Sequence, residues 1–369
     1  MQTGFDSPHP ECTFEKVLQR FFEEDPKRTG GFRPRRTRRM TGRLPSPRRC
    51  ENVDWCRESR LDHLTLFIPT AEASKSCMLV MSNAATDGKR LAAKLKSAFC
   101  RIQEKVYPDG EKILEATITS PKIADVILFK FNKLATFDDQ LFNLMSVLHR
   151  FADRRITRLV LPYLPYLRSY PCPKQGVDKL AVVFRAIMER VKKLYLISPH
   201  IDAGAIAAGL PSRRFTIVDI DRQVISYLAS LRSALILVAP DDGSLRDVKR
   251  LSAKSGWDYI AISKVRLTPV TVAMKLEIIA KKKIVANLDK AFVIIDDIVS
   301  TGGTLARAAA LLKSHGVKKI FCMVTHDTSR NRRRKNFDVR CSNSLLNVSA
   351  RGFDLTDSIG AAIVADWAR

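Results

Sequence analysis

The chain has 369 residues, 46% of them hydrophobic, which is enough for two core-bearing domains and excludes a low-complexity or coil-like polymer. A formal net charge of +25 admits nucleic acid, anionic metabolites and anionic surfaces as partners without choosing among them. No run approaches the roughly 18 consecutive apolar residues of a membrane helix, and the polar start with Asp6, Glu11 and Glu15 lacks a signal peptide's apolar core, so a cytoplasmic location without membrane partners is expected.

The first residues predict one short amphipathic helix over Phe14–Phe22, whose acids argue against a transit peptide. From Lys27 to Arg49 there are ten Lys and Arg and no acid, with Pro34, Pro45 and Pro47 among them; such a stretch cannot bury a core and reads as a disordered tail. Nucleic-acid binding by this tail has no motif to support it. Residues 1–75 carry 15 basic against 11 acidic residues, so +21 of the net charge belongs to residues 76–369. The eight cysteines are scattered, and Cys50 and Cys56 are too far apart for a CxxC pair, so they read as reduced thiols without a zinc site.

From Cys77 onward, short apolar runs alternate with helical periodicity. The first set is CMLVMS, ADVILFKF, ITRLVLPYL and VKKLYLIS. The second is FTIVDI, ALILVAP, YIAISKV, AFVIIDD and KIFCMVT. This rhythm predicts an α/β protein with two tandem domains, each a parallel sheet flanked by helices, with a division near Arg213–Asp219. The expected organisation is an extension over 1–75, an N-terminal domain over 76–218, a C-terminal domain over 219–350, and a segment over 351–369 that packs on the first domain.

Residues 292–305, FVIIDDIVSTGGTL, carry the chemistry. Phe292–Ile295 read as a buried strand and Ala306–Leu312 as a helix, which puts Ser300, Thr301, Gly302, Gly303 and Thr304 at a helix N-terminus. Free N–H groups there favour an anion, and glycine lets the backbone approach a phosphate. Asp296 and Asp297 at the strand end can accept hydrogen bonds from vicinal sugar hydroxyls or help hold a cation. A sugar phosphate is the predicted ligand; a solvated acid pair before an ordinary turn is the plainer alternative.

This window resembles the PRPP (5-phosphoribosyl 1-diphosphate) motif shared by type I phosphoribosyltransferases and ribose-phosphate diphosphokinases, the PRPP synthetases. Further segments over residues 77–369 resemble the synthetases, closest to archaeal-type sequences. Tyr107-Pro108-Asp109-Gly110-Glu111 is similar to F-x-D-G-E, and the resemblance implies that Tyr107, Asp109 and Glu111 contact ATP. Leu161–Arg168 is similar to P-Y-x-x-Y-A-R-Q-D, implying Arg168 as an ATP-phosphate contact. His200 falls where the family has the histidine of D-L-H, and Asp241 where it has P-D-x-G-G, implying both near a metal. Lys264-Val265-Arg266 is similar to the K-x-R catalytic loop, implying Lys264 and Arg266, with His200, as catalytic residues. Ser342-Asn343-Ser344 resembles T-N-T, and Thr325-His326 resembles a T-H after a strand.

The resemblance implies two tandem type I phosphoribosyltransferase-like domains and transfer of the pyrophosphoryl group of ATP to the 1-hydroxyl of ribose 5-phosphate, giving PRPP and AMP. Mg²⁺ is the implied cofactor, ATP the co-substrate and a homo-oligomer the implied assembly. Departures stand at Ser198 for the acid before the histidine, Ser169-Tyr170 for Gln-Asp, Ser244 for a glycine and Ser300 for a frequent aspartate. The alternatives are a non-catalytic or regulatory PRPP-synthetase-associated protein and a phosphoribosyltransferase that uses PRPP. The first fits the departures; the second offers no reason for the elements around Glu111, Arg168 and Lys264.

Overall fold

A computed structural model describes residues 78–116, 123–169, 176–200, 214–266, 272–330, 338–348 and 352–368. The helix expected at Phe14–Phe22, the basic stretch Lys27–Arg49 and the side chains of Lys264 and Arg266 lie outside the described residues.

The apolar runs form two seven-stranded sheets. The first holds β1 (Leu79–Ser82), β2 (Ala98–Val106), β3 (Lys112–Ala116), β4 (Val126–Leu128), β5 (Arg158–Leu161), β6 (Lys193–Ile197) and β7 (Phe215–Val218), in the order β3-β2-β1-β4-β5-β6-β7. The second holds β8 (Leu235–Ala239), β9 (Asp258–Arg266), β10 (Val272–Leu276), β11 (Ala291–Val299), β12 (Lys319–Asp327), β13 (Asp338–Ser342) and β14 (Gly352–Phe353), in the order β10-β9-β8-β11-β12-β13-β14. One topology, shifted by seven strands, describes both. Each sheet is parallel except for one hairpin, β3 against β2 and β10 against β9.

Between the strands run α1 (Ala85–Lys94), α2 (Phe137–Phe151), α3 (Lys179–Met188), α4 (Asp221–Ala229), α5 (Asp242–Ser255), α6 (Ile278–Val285), α7 (Gly303–Ser314) and α8 (Thr356–Trp367). Strands β4, β6 and β8 are buried along their whole length, which is why they read as unbroken apolar runs rather than as alternation. Ile127 and Leu159 point into a core with Leu144 and Leu148 of α2 and Phe184 of α3. On the opposite face Val126, Val160 and Tyr195 share a core with Leu237, Val293 and Met323 of the second sheet and with Leu91 of α1 and Ile359 and Ile363 of α8. Burying each such side chain contributes about 1.5–3 kcal/mol, so a shared middle layer makes the two sheets one cooperative body. Among the described residues no helix is long and apolar enough to cross a membrane.

Three features depart from the sequence reading. The run FTIVDI, grouped by texture with the second set, is β7 and pairs with β6 in the first sheet. The segment AFCRIQEKV, whose charges hide it, is β2, and the stretch containing Asp109 and Glu111 is the turn of its hairpin with β3. Strand β11 runs on to Val299, so Asp296 and Asp297 lie inside the strand rather than at its end.

The C-terminal edges of the two sheets meet along a polar seam. Lys130, 1% exposed, follows β4 and places its ammonium 2.7 Å from Asp87 of α1 and against the carbonyl of Asn343 beyond β13. Asn343 in turn donates to Asp87 at 2.9 Å and to Asp354 at 2.8 Å. Lys133 pairs with Asp327 of β12 at 2.8 Å, both nearly buried. Burial pulls the Lys130 pKa down and the Asp87 charge pulls it back up, so the ammonium depends on its partner. Asp87→Ala, which strands that charge, is expected to lower the unfolding free energy by about 3–5 kcal/mol in urea titration, whereas Lys130→Met with Asp87→Leu recovers most of the loss. A cost below about 1 kcal/mol for Asp87→Ala would contradict this account of the seam.

Candidate active site

The site grows from the end of β11. Strand β8 pairs with β11 only as far as Ile294, opposite Val238, whereas β12 continues beside it to Val299. Asp296 and Asp297 therefore stand where one neighbour has stopped, over the start of α5. Strand order reverses between β8 and β11, and such a switch point leaves a crevice at the carboxyl ends of the strands. The crevice here is a cavity of about 470 Å³.

Its floor is the turn into α7. Gly302 takes φ +81°, a left-handed conformation that disfavours a side chain, and it occupies the N-cap position without any side-chain cap. The first amides of α7 are thus placed to receive an anion; among the described residues the Gly303 N–H makes a long 3.5 Å bond to Thr301 Oγ1. Ser300, Thr301, Gly302, Gly303 and Thr304 all line the cavity. Opposite, Asp241 caps α5 by accepting from the Ser244 N–H at 3.2 Å.

The first sheet supplies the facing wall. Beyond β5, Tyr163, Leu164 and Leu167 are buried, Tyr166 takes φ +71°, and the turn delivers Arg168 to the cavity. Beyond β6, Ser198 takes φ +39° immediately before Pro199, and His200 Nδ1 comes to 2.8 Å from Asp297 Oδ2. The carboxylate can only accept, so Nδ1 donates. That hydrogen bond chiefly raises the His200 pKa. Burial works against ionising Asp297, but the bond to His200 and the histidine charge hold its carboxyl below the ordinary value. Asp296 moves the other way: burial, then the charges of Asp297 and Asp241, push it up to about 8.

Of the residues singled out in the sequence, the cavity gathers Arg168, His200, Asp241, Asp296, Asp297 and Ser300 to Thr304. It does not gather Tyr107, Asp109 and Glu111. These form a tight turn in which the Tyr107 N–H donates to the Glu111 carbonyl at 2.8 Å and the Glu111 N–H donates to Asp109 at 3.0 Å. Strand β9 carries Lys264 and Arg266 along its hairpin with β10. Ser342 Oγ donates to the Thr325 carbonyl inside the seam, and Ser344 Oγ lies 3.1 Å from the same carbonyl. The sequence reading passed over Arg246 and Asp247, which also line the cavity, although Asp242 and Arg246 at i and i+4 on one helix face were a usable signal.

Among the described residues no group of three or more His, Cys, Asp or Glu side chains is arranged to hold a metal ion by itself. The residues nevertheless fit a hydrated divalent cation. Burial, then the charges of Asp297 and Asp241, push Asp296 towards its neutral form, and a cation shared with substrate oxygens would offset the charge repulsion.

The phosphoribosyl transferase domain family matches residues 219–357, the part that contains the second sheet. A ribose-phosphate pyrophosphokinase of Pyrococcus abyssi is 30% identical over 232 residues, 61% of this chain and 75% of that protein. The chain belongs to the ribose-phosphate pyrophosphokinase family. Another ribose-phosphate pyrophosphokinase, from Sulfolobus acidocaldarius, is 28% identical over 266 residues, covering 68% of this chain and 84% of its own. The crystal structure of phosphoribosylpyrophosphate synthetase from Mycobacterium smegmatis shares the fold, with a TM-score of 0.63 at 18% identity over 80% of this chain and 99% of that one. As a member of the ribose-phosphate pyrophosphokinases the chain is a transferase built from two tandem type I phosphoribosyltransferase-like domains.

The strained ionisation of Asp296 has a measurable consequence. The unfolded carboxyl ionises near 4 and the folded one near 8, so the stability it lends is present below about 4 and is lost as pH rises through about 8. Asp296→Asn is expected to stabilise the ligand-free protein by about 1–3 kcal/mol at pH 8 and by less at pH 5, in guanidinium titrations at both pH values. An equal effect at both, or destabilisation at pH 8, would contradict the assigned shift.

Proposed function

We propose that the chain is a PRPP synthetase that transfers the pyrophosphoryl group of ATP to the 1-hydroxyl of ribose 5-phosphate, with Mg²⁺, releasing AMP. The observation that carries this reading is the facing of two unlike walls across one cavity: uncapped helix amides with an acid pair on one side, Arg168 and His200 on the other. The first suits a sugar phosphate and the second a polyphosphate chain.

In this reading residues 219–350 bind ribose 5-phosphate. The Ser300 to Thr304 turn holds the 5-phosphate through backbone N–H groups and hydroxyls, and Asp296 and Asp297 bind the ring hydroxyls. Residues 76–218 bind ATP, with Arg168 on its phosphates. The 1-hydroxyl oxygen bonds to the β-phosphorus as the bond from that phosphorus to the α–β bridging oxygen breaks; AMP leaves with the bridging oxygen and the hydroxyl proton passes to solvent. Lys264 and Arg266 stabilise charge developing on the transferring oxygens, where positioning and electrostatics supply most of the rate. Mg²⁺ when bound would neutralise polyphosphate charge, with His200 and Asp241 beside it. Since Tyr107, Asp109 and Glu111 line no part of this cavity, their contact with the nucleotide goes with a homo-oligomer in which a second copy brings its turn to the site. A cytoplasmic location fits both substrates.

Ser198, standing where the family has an acid, favours a second reading as a regulatory subunit that binds the same ligands without turnover. One assay separates them. Incubation with ATP, ribose 5-phosphate and Mg²⁺ is expected to release AMP and PRPP in equal amounts, and Lys264→Ala or Arg266→Ala to slow this by about 10²–10⁴-fold while leaving the thermal melt unchanged. Ligand binding without AMP release would select the regulatory reading, and near-normal turnover in both variants would remove the catalytic role of the pair.

A further inference from the structure

His326 is 1% exposed, holds ordered partners on both ring nitrogens, and takes no part in the reaction as outlined. Its Nε2 lies 2.9 Å from the carbonyl of Ile197 and 3.3 Å from that of Ser198, and its Nδ1 lies 2.9 Å from Ser344 Oγ. Carbonyls only accept, so the proton belongs on Nε2 and Nδ1 accepts from the serine hydroxyl. The ring leans on Tyr163, with centroids 5.2 Å apart.

Both ends of this residue touch the cavity's geometry. Its backbone sits in β12 opposite Ile298, the residue after Asp297. Its side chain grips the last residue of β6 and Ser198, whose left-handed φ of +39° before Pro199 is a strained turn that needs outside support. Two residues further on is His200. One imidazole therefore spans from β12, paired with the strand that carries Asp297, to the end of β6, which leads to His200.

The geometry points to His326 as a positioning residue that sets the spacing of the His200–Asp297 pair across the two domains. Its catalytic consequence rests on the proposed synthetase reading; its structural consequence does not. The neutral ring is suited to this because burial drives its pKa down to about 4, which keeps one nitrogen a donor and the other an acceptor at any physiological pH.

The full chain carrying His326→Gln, His326→Asn or His326→Leu tests it. The Gln amide nitrogen reaches as far as Nε2, the Asn amide falls short of Ile197, and Leu has no donor. Steady-state kinetics are expected to show kcat down about 10- to 100-fold in the Asn and Leu variants, with KM for ribose 5-phosphate within about twofold, and kcat largely restored in the Gln variant. Hydrogen exchange followed by mass spectrometry is expected to quicken in peptides covering 193–200 in Asn and Leu but not Gln, while peptides covering 79–82 and 235–239 stay protected. The proposal is overturned if Gln behaves like Leu, if Asn retains wild-type kcat and exchange, or if protection falls throughout both sheets. A wild-type chain that forms no PRPP would sink the synthetase reading, and the exchange pattern would still decide whether His326 holds the Ser198 turn.

Discussion

Asp297 stays ionised in a largely buried strand because His200, 97 residues earlier, lies 2.8 Å away, and that pairing exists only if the C-terminal edges of the two sheets are held face to face. The geometry of the cavity is downstream of that constraint. The shared middle core brings the sheets together as bodies, but apolar packing is tolerant of small slides. The polar seam is not, because each buried donor has its own acceptor and a slip leaves both unsatisfied.

The seam has an approximate two-fold logic that follows from the repeated topology. The last part of β11 in the second domain meets the segment after β6 in the first, through Asp297 and His200. The equivalent segment after β4 in the first domain meets the one after β13 in the second, through Lys130 and Asn343. The repeated strand order puts a switch point between β8 and β11 and another between β1 and β4. One keeps a glycine turn and acids and remains open; the other is filled by Lys130, its ammonium neutralised by Asp87. Among the described residues the chain thus has an open crevice at the first switch point and a latch at the second.

Much of this was legible in the residues. An apolar run ending in Asp296-Asp297 and a Gly302-Gly303 turn announces a buried strand and an uncapped helix start, and Gly302 takes the positive φ that glycine permits. What stayed hidden depended on partners distant in sequence. Lys130 and Lys133 in FKFNK resemble surface lysines until Asp87 and Asp327 close on them. Strand β2 shows too little apolar alternation to be recognised, because its outer half is exposed. The run FTIVDI follows a segment that reads as a boundary, and only its register with β6 assigns it to the first sheet. Thr325-His326 and Ser342-Asn343-Ser344 resemble family motifs, but their places in the seam are matters of geometry that no spacing reveals.

The central claim is that the β11 acids and the α7 turn form the sugar-phosphate half of the cavity, separate from the polyphosphate half on the first domain. Isothermal calorimetry of the wild type and of the Asp296→Asn, Asp297→Asn double variant, titrated separately with ribose 5-phosphate and with a non-hydrolysable ATP analogue in the presence of Mg²⁺, tests it most directly. The account predicts that the double variant loses about tenfold or more in affinity for ribose 5-phosphate, two charge-assisted acceptors being removed, while analogue binding changes by less than about threefold. Unchanged ribose 5-phosphate affinity, or an equal loss for both ligands, would contradict it.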